Sequence, residues 1–410
     1  MNELSLPRPS GPGSGRLMSL DVFRGATIAS MILVNNPGNW GAVYPPLLHA
    51  PWHGWTFTDT VFPFFVWIVG VAIPLSFNRR LEQGRTRAEL FGHVVRRAAI
   101  IFALGFFLNF FTYLVDVELW HKGLSAWLHK MTTEIRIPGV LQRIAVCYLF
   151  ASLIFLCTKL RGQLIWLAGL LAGYWLLMKL VPVPGFGAGV LDERGNLAQY
   201  LDNVLLGNHV AYGHRTPGSL DTWDPEGILS TLPAIATCLF GILAGQLIRS
   251  KRSAEEKTAW LFVAGNVLLF AGLVMNWWFP INKKIWTSSY SVFMAGLAMN
   301  CLAVCYWLID VKGWQRWAKP FAVYGMNAIT VFVLAGILGR LSLAVKVTNL
   351  EGKLVPIKAY LFDTFFMPLA SGPHAVYSTK IASLLWALMY VTGLYLVAYV
   401  MYRRKWFLKV

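Results

Sequence analysis

The sequence predicts an all-α, polytopic membrane protein with about ten transmembrane helices. Three observations carry that prediction: apolar runs that recur along the chain, a shortage of charge, and basic clusters on alternate loops. Of the 410 residues, 56% are hydrophobic and 13% charged, against roughly a quarter charged in an average soluble domain. Too few charges remain to coat a water-facing surface, so the outer surface faces lipid. The 18 Trp and 15 Tyr suit amphipathic rings gathered at two headgroup layers. A net charge of +17 raises the question of nucleic acid. The Lys and Arg stand between apolar spans rather than in polar recognition sequence, so membrane topology accounts for them and no nucleic-acid partner is expected.

The first element, Met1–Gly15, is rich in Pro, Gly and Ser and lacks the apolar run of a signal peptide, so it reads as a disordered cytoplasmic tail. Residues 16–410 read as a single transmembrane domain. Apolar runs of about 20 residues place spans near Leu20–Asn36, Phe57–Phe77, Val94–Leu114, Gly139–Cys157, Leu164–Val181, Ile228–Ile248, Ala259–Trp278, Ser291–Ile309, Phe321–Leu341 and Ile381–Tyr402. Between them, the Arg79/Arg80/Arg85/Arg87/Arg96/Arg97 cluster, Lys159 with Arg161, Arg249/Lys251/Arg252/Lys257, Lys312/Arg316/Lys319 and Arg403/Arg404/Lys405 fall on alternate loops. The positive-inside rule assigns those loops, and hence both termini, to the cytoplasm. The opposite face carries the longer connections, Pro37–Thr56, Val115–Pro138, Pro182–Glu226 and Ala344–Thr379, with most of the His and acidic residues. A polar substrate would meet the protein from that side. The cysteines, Cys147, Cys157, Cys238, Cys301 and Cys305, lie in apolar runs without CxxC or Cys/His spacing, so they read as packing residues, with no disulfide framework or metal site.

Ionisable and amide side chains inside or beside a span are costly, which makes each a functional candidate. Asp21 and Arg24 open the first span on one helix face, as an ion pair or as the site of an anionic group. Asn35 lies roughly 20 Å along the same helix. After it come His49, Trp52 and His53 in a loop, and then Asp59 at the start of the second span. A His oriented by a neighbouring Asp is suited to take a proton near neutral pH, and an amide such as Asn35 can donate to a developing oxyanion. A solvated loop His is the alternative. Gln142 and Arg143 lie about one turn inside the fourth span, where a guanidinium needs a partner from protein or ligand. Asp224-Pro-Glu226-Gly227 reads as a helix start or as an amine-binding pair. Asn327 is a buried amide that either satisfies backbone or lines a cavity.

The run Arg16-Leu-Met-Ser-Leu-Asp21-Val-Phe-Arg24-Gly25 is followed in order by Val34-Asn35, His49-Ala-Pro-Trp52 and Thr58-Asp59-Thr-Val-Phe62-Pro63. Arg136-Ile-Pro-Gly-Val-Leu-Gln-Arg143, Asp224-Pro-Glu-Gly227, Ile281-Asn282-Lys283-Lys284-Ile-Trp286 and Gly325-Met-Asn327 come next. This ordered series resembles the heparan-alpha-glucosaminide N-acetyltransferase family and its bacterial relatives. The resemblance implies a multi-pass acetyltransferase of the bacterial inner membrane, taking acetyl from cytoplasmic acetyl-CoA, without a metal, to the amine of glucosamine or a short glycan across the membrane. It puts the family's active-site His on His49 and an active-site Asn on Asn35, with Asp59 beside them. Acetyl-CoA is then expected against Asp21, Arg24, Arg79, Arg80, Gln142 and Arg143, and the acceptor against Trp52, His53, Asp224, Glu226, Asn282, Lys284 and Asn327.

Two departures qualify it. The chain reaches the first shared span almost at once, so no counterpart of the animal enzyme's lumenal domain is expected, and His53 stands where the animal family has Asn. Whether His49 acts as general base or carries the acetyl group itself is left open, as is the exact acceptor. The competing functions are an amino-sugar transporter and an O-acetyltransferase of an envelope glycan. A symmetric homodimer is the default oligomer.

Overall fold

The computed structural model describes residues 17–213, 222–368 and 375–407, so the tail Met1–Gly15 lies outside the described residues. Most of that length is helical. Each apolar stretch expected to span is helical: α1 (Met18–Asn35), α2 (Phe57–Glu82), α3 (Arg87–Leu114), α6 (Val140–Cys157), α7 (Leu160–Leu180), α9 (Thr231–Arg249), α10 (Ala254–Met275), α11 (Ser288–Tyr306), the pair α12 (Lys319–Met326) and α13 (Ala328–Ala344), and α15 (Ala375–Arg403). Among the described residues, eight helices are long and apolar enough to cross a membrane, or nine if the bent pair is one span. The protein is therefore a multi-pass membrane protein. Asp21, Arg24 and Asn35 dilute the apolar run of α1, which is not one of those eight.

The expected straight span Phe321–Leu341 is instead two helices meeting at 79°. The break falls on Asn327, whose backbone leaves the helical region (φ −122°, ψ 33°). Asn has a low intrinsic preference for helix interiors.

Burial sorts the helices into two shells. The hydrophobic windows of α2 and α9 are 72% buried and those of α6 and of α11 with its π-turn are 61% buried, whereas those of α7 and α10 are 22% buried. All of these helices are apolar around their circumference, so lipid and protein interior compete for the same faces and small residues decide the contacts. A Cβ on Gly70 of α2 would stand 2.0 Å from the carbonyl oxygen of Cys238, and one on Gly241 of α9 would stand 2.0 Å from that of Trp67. α1 and α12 meet the same way, since a Cβ on Gly325 would lie 2.0 Å from the Asp21 oxygen.

Successive helices run in alternate directions, which gives the bundle an Arg24 end and a His49 end. The long connections expected to carry function all belong to the His49 end. They fold into α4 (Val117–His121), α5 (Leu124–Glu134), α8 (Leu197–Leu206), α14 (Ile357–Leu361) and an antiparallel hairpin of β1 (Lys346–Thr348) and β2 (Leu354–Pro356). They have a small apolar core of their own, built on Tyr174, Val183, Leu191, Leu197, Phe279 and Ile285.

Candidate functional site

The site begins with the start of α2. Thr56 and Asp59 form a capping box, with Asp59 Oδ2 accepting from the Thr56 backbone N–H at 3.0 Å and from the Thr56 hydroxyl at 3.1 Å. This arrangement satisfies backbone donors that a helix start leaves without partners. The same oxygen takes the Ala50 N–H at 2.9 Å, which ties the preceding loop to the helix. The other oxygen, Oδ1, is 2.6 Å from Nδ1 of His49. Asp59 is buried, while the His49 side chain is 44% exposed.

A second loop, Ile281–Trp286, closes on this one. Gly54 N–H donates to the Ile281 carbonyl at 2.7 Å, Asn282 Nδ2 approaches Nδ1 of His53 at 3.3 Å, and Asn282 Oδ1 accepts from Ile285 N–H at 3.1 Å. This turn presents Lys283, whose ammonium lies 3.3 Å from His49 Nε2 and 3.4 Å from Nδ1. Burial pulls the Lys283 amine below its ordinary pKa, against the attraction of Glu226 and Asp59. Burial likewise lowers the His53 imidazole, opposed by Asp192. Below Asp59, the Tyr290 hydroxyl donates to the Asp59 carbonyl at 2.6 Å and holds the helix start in register with α11.

Lys284 turns the other way. Its ammonium lies 5.4 Å from the centre of the Trp52 ring, 5.6 Å from that of Trp223 and 3.9 Å from Glu193. Trp52 itself donates to the Leu191 carbonyl at 2.9 Å. These residues form one aromatic, basic wall beside His49, and a cation held over indole faces is a stable element in a half-dry site.

Asp224 and Glu226 are adjacent, though not as a helix start. α9 begins only at Thr231, and both carboxylates are engaged by Arg136: Nε and Nη2 reach Asp224 at 2.8 and 2.7 Å, and Nη2 reaches Glu226 at 2.5 Å. Burial raises the Glu226 carboxyl, but Arg136, Arg143 and Lys283 more than reverse this and hold it low, while burial keeps that of Asp224 high. Beneath them, Asp202 accepts from the N–H groups of Ile228 and Asp224 at 3.0 and 3.4 Å, and burial pushes its pKa up to about 7.

Asn35 lies elsewhere. It lines a cavity of about 390 Å³ together with Asn109, Arg136, Gln142, Arg340 and Lys358, and His49 is not among its walls. At the opposite end, Asp21, Arg24, Arg79 and Arg80 line a cavity of about 370 Å³, with Asp21 and Arg24 paired at 3.0 Å. A third cavity, of about 390 Å³, shares Arg24 and Arg80 with that one and adds His93 and Arg97. It reaches inward to Leu141, which also lines the Asn35 cavity. Cavities thus follow one another from the Arg79 end to Asn35, between α1, α3, α6 and α13.

Gln142 and Arg143 do not join the arginine cluster. Arg143 donates to the Gly227 carbonyl at 2.9 Å and the Ser230 hydroxyl at 2.5 Å, toward the His49 end, and lies 5.1 Å from the centre of the Trp286 ring. Asn327 is buried at the α12–α13 bend, and neither its side-chain oxygen nor its nitrogen is hydrogen-bonded. Sequence reasoning singled out neither Lys283 nor Arg136 as a site residue. Each sits inside a motif block quoted above, and the available signal was a cation on the same face as His49.

No family model matches the chain. It is 30% identical over 440 residues to the human heparan-alpha-glucosaminide N-acetyltransferase, an alignment that covers 96% of this chain and 60% of that protein. It is 28% identical over 449 residues to the mouse protein of the same name, covering 98% of this chain and 62% of that one. The chain thus spans about 60% of the length of the human relative it matches. Similarity at 30% identity over 96% of this chain places it in the heparan-alpha-glucosaminide N-acetyltransferase family.

Proposed function

We propose that the protein is an acetyltransferase of the bacterial inner membrane that moves acetyl from cytoplasmic acetyl-CoA to the amine of glucosamine or a related amino sugar on the periplasmic side. The observation that carries this reading is the His49–Asp59 pair, a half-exposed base held by a buried carboxylate, with the Lys283 ammonium beside its second nitrogen. Its support is the name shared by the relatives and the run of cavities that ends at Asn35.

The donor's phosphates fit the Arg24, Arg79 and Arg80 end, where guanidinium groups converge on one cavity. The acetyl thioester supplied by the coenzyme then reaches toward Asn35. At the acceptor, Nε2 of His49 takes a proton from the attacking amine as the new C–N bond forms. Lys283, beside His49, donates to the oxyanion, and the proton returns from His49 to the departing thiolate. An ammonium cannot attack, so the base is indispensable. In the covalent variant, His49 accepts the acetyl group first and passes it to the amine.

Acetyl transfer from labelled acetyl-CoA to glucosamine, by purified protein in nanodiscs, tests the reading. Wild type yields N-acetylglucosamine and folded His49→Ala yields none. A burst of CoA without acceptor marks the covalent variant. The 79° break between α12 and α13 favours one second reading, an amino-sugar transporter, since discontinuous helices line transport sites. Uptake of labelled glucosamine into vesicles lacking acetyl-CoA, with no acetylated product, would establish the transporter instead.

A further inference from the structure

A second, larger space lies on the other side of Gln142. It is an apolar groove of about 840 Å³ between α6, α7 and α9, walled by Val146, Phe150, Leu153, Trp166, Leu170 and Ile235. Phe150, Leu153 and Trp166 are 47%, 36% and 51% exposed, so the groove opens sideways toward lipid. From Gln142 to Thr158 it follows α6 for about 24 Å, most of the depth of a hydrocarbon core. A straight hydrocarbon chain fits that shape.

Its His49 end is not apolar. Gln142 and Arg143 line it and are 4% and 2% exposed, yet Nε2 of Gln142 and Nε and Nη1 of Arg143 donate no hydrogen bond. Glu226, a carboxylate, lines the same end. Donors left without acceptors in a dry site are costly, and a neighbouring anion discourages a phosphate as their partner. A polyol carrying an amine satisfies the whole set, its hydroxyl oxygens accepting from Arg143 and Gln142 and its amine N–H donating to Glu226. Lys283, which lies against His49, also interacts with Glu226, so this end of the groove adjoins the His49 site.

We infer that the acceptor is an amphiphile: an amino sugar carried on a hydrocarbon chain, the chain lying in the α6–α7–α9 groove and the sugar held by Arg143, Gln142 and Glu226 beside Lys283 and His49. This rests on the acetyltransferase reading and narrows its acceptor class. The reaction is unchanged, with the sugar amine forming the amide, the thioester C–S bond breaking and the amine proton leaving on the CoA thiol.

The test compares methyl glucosaminide with n-dodecyl glucosaminide as acceptors in nanodiscs, for wild type, Val146→Trp and Leu153→Trp. Both substitutions place bulk in the groove at partly exposed positions away from His49. The expected result is a KM for the dodecyl acceptor at least about tenfold lower in wild type. That advantage collapses in both variants, while turnover of the methyl acceptor is kept. Equal KM values in wild type, or an advantage that survives both variants, overturns the inference; the latter result would mean simple partitioning into the bilayer. Binding of labelled dodecyl glucosaminide without acetyl-CoA supplies the second readout. Binding that both Trp variants abolish, with no acceptor acetylated, keeps the groove assignment and removes the acetyltransferase reading. Acetylation of the methyl acceptor with no groove-dependent binding does the reverse.

Discussion

Asp59 divides its carboxylate between two tasks: Oδ1 faces His49 Nδ1 at 2.6 Å, and Oδ2 takes three donors from Ala50 and Thr56. In Asp59→Asn the amide oxygen keeps the three donors and the NH₂ group turns to His49 Nδ1. The imidazole must then carry its proton on Nε2, the atom proposed to accept one. We expect kcat to fall by roughly a hundredfold to ten-thousandfold with KM nearly unchanged. The thermal midpoint should stay close to wild type, since the helix cap survives. A loss of kcat accompanied by a large drop in that midpoint would reduce Asp59 to a structural residue.

Lys283 should set an alkaline limit. Its amine titrates below the ordinary lysine value because it is buried. The ammonium facing His49 is therefore present at low pH and lost as pH rises through that lowered pKa. In Lys283→Arg the guanidinium stays charged, so the alkaline limb of kcat should move to higher pH. A pH–rate profile identical to wild type would dissociate Lys283 from the reaction.

Arg136 neutralises two buried carboxylates at once. Removing it in Arg136→Met leaves Asp224 and Glu226 facing each other, a loss of roughly 3–5 kcal/mol. Thermal unfolding in nanodiscs reads this directly. Asp224→Asn introduced into Arg136→Met should recover part of it, because one of the stranded charges is gone.

Asp202 carries the opposite sign of pH dependence from a salt-bridged carboxylate. Its folded pKa, about 7, lies above the unfolded value of 3.8. The folded state therefore holds a proton that the unfolded chain has released, and stability falls as pH rises from about 4 through 7. Asp202→Asn should flatten that fall, stabilising the protein at pH 8 and changing little at pH 4. Thermal midpoints across pH that run parallel to wild type would mean that Asp202 does not titrate as argued.

Each apolar stretch expected to span the membrane is helical in the structure, because the signal is local: a run of about 20 apolar residues has few other options in lipid. The broken pair at Asn327 was not legible, since apolarity alone does not distinguish one helix from two. His49 and Asp59 were legible as a pair because a loop His is followed closely by an Asp at the start of the second span. Which of Lys283 and Lys284 faces His49 was not. The two have identical chemistry, and their directions are set by a turn in which Trp286 adopts φ +48°, unusual for a bulky residue. Arg136 was equally hidden, as its partners lie 88 and 90 positions away.

Leu141 borders the cavity of Arg24 and Arg80 on one side and that of Asn35 on the other. With both recesses filled by water, the transmembrane voltage would fall between them, across a path shorter than the full bilayer. Each elementary charge carried past Leu141 would then cost or release about 2.3 kcal/mol per 100 mV. In the proposed reaction a neutral two-carbon group passing the same point would do no electrical work, and coenzyme phosphates bound among the arginines would never enter the field.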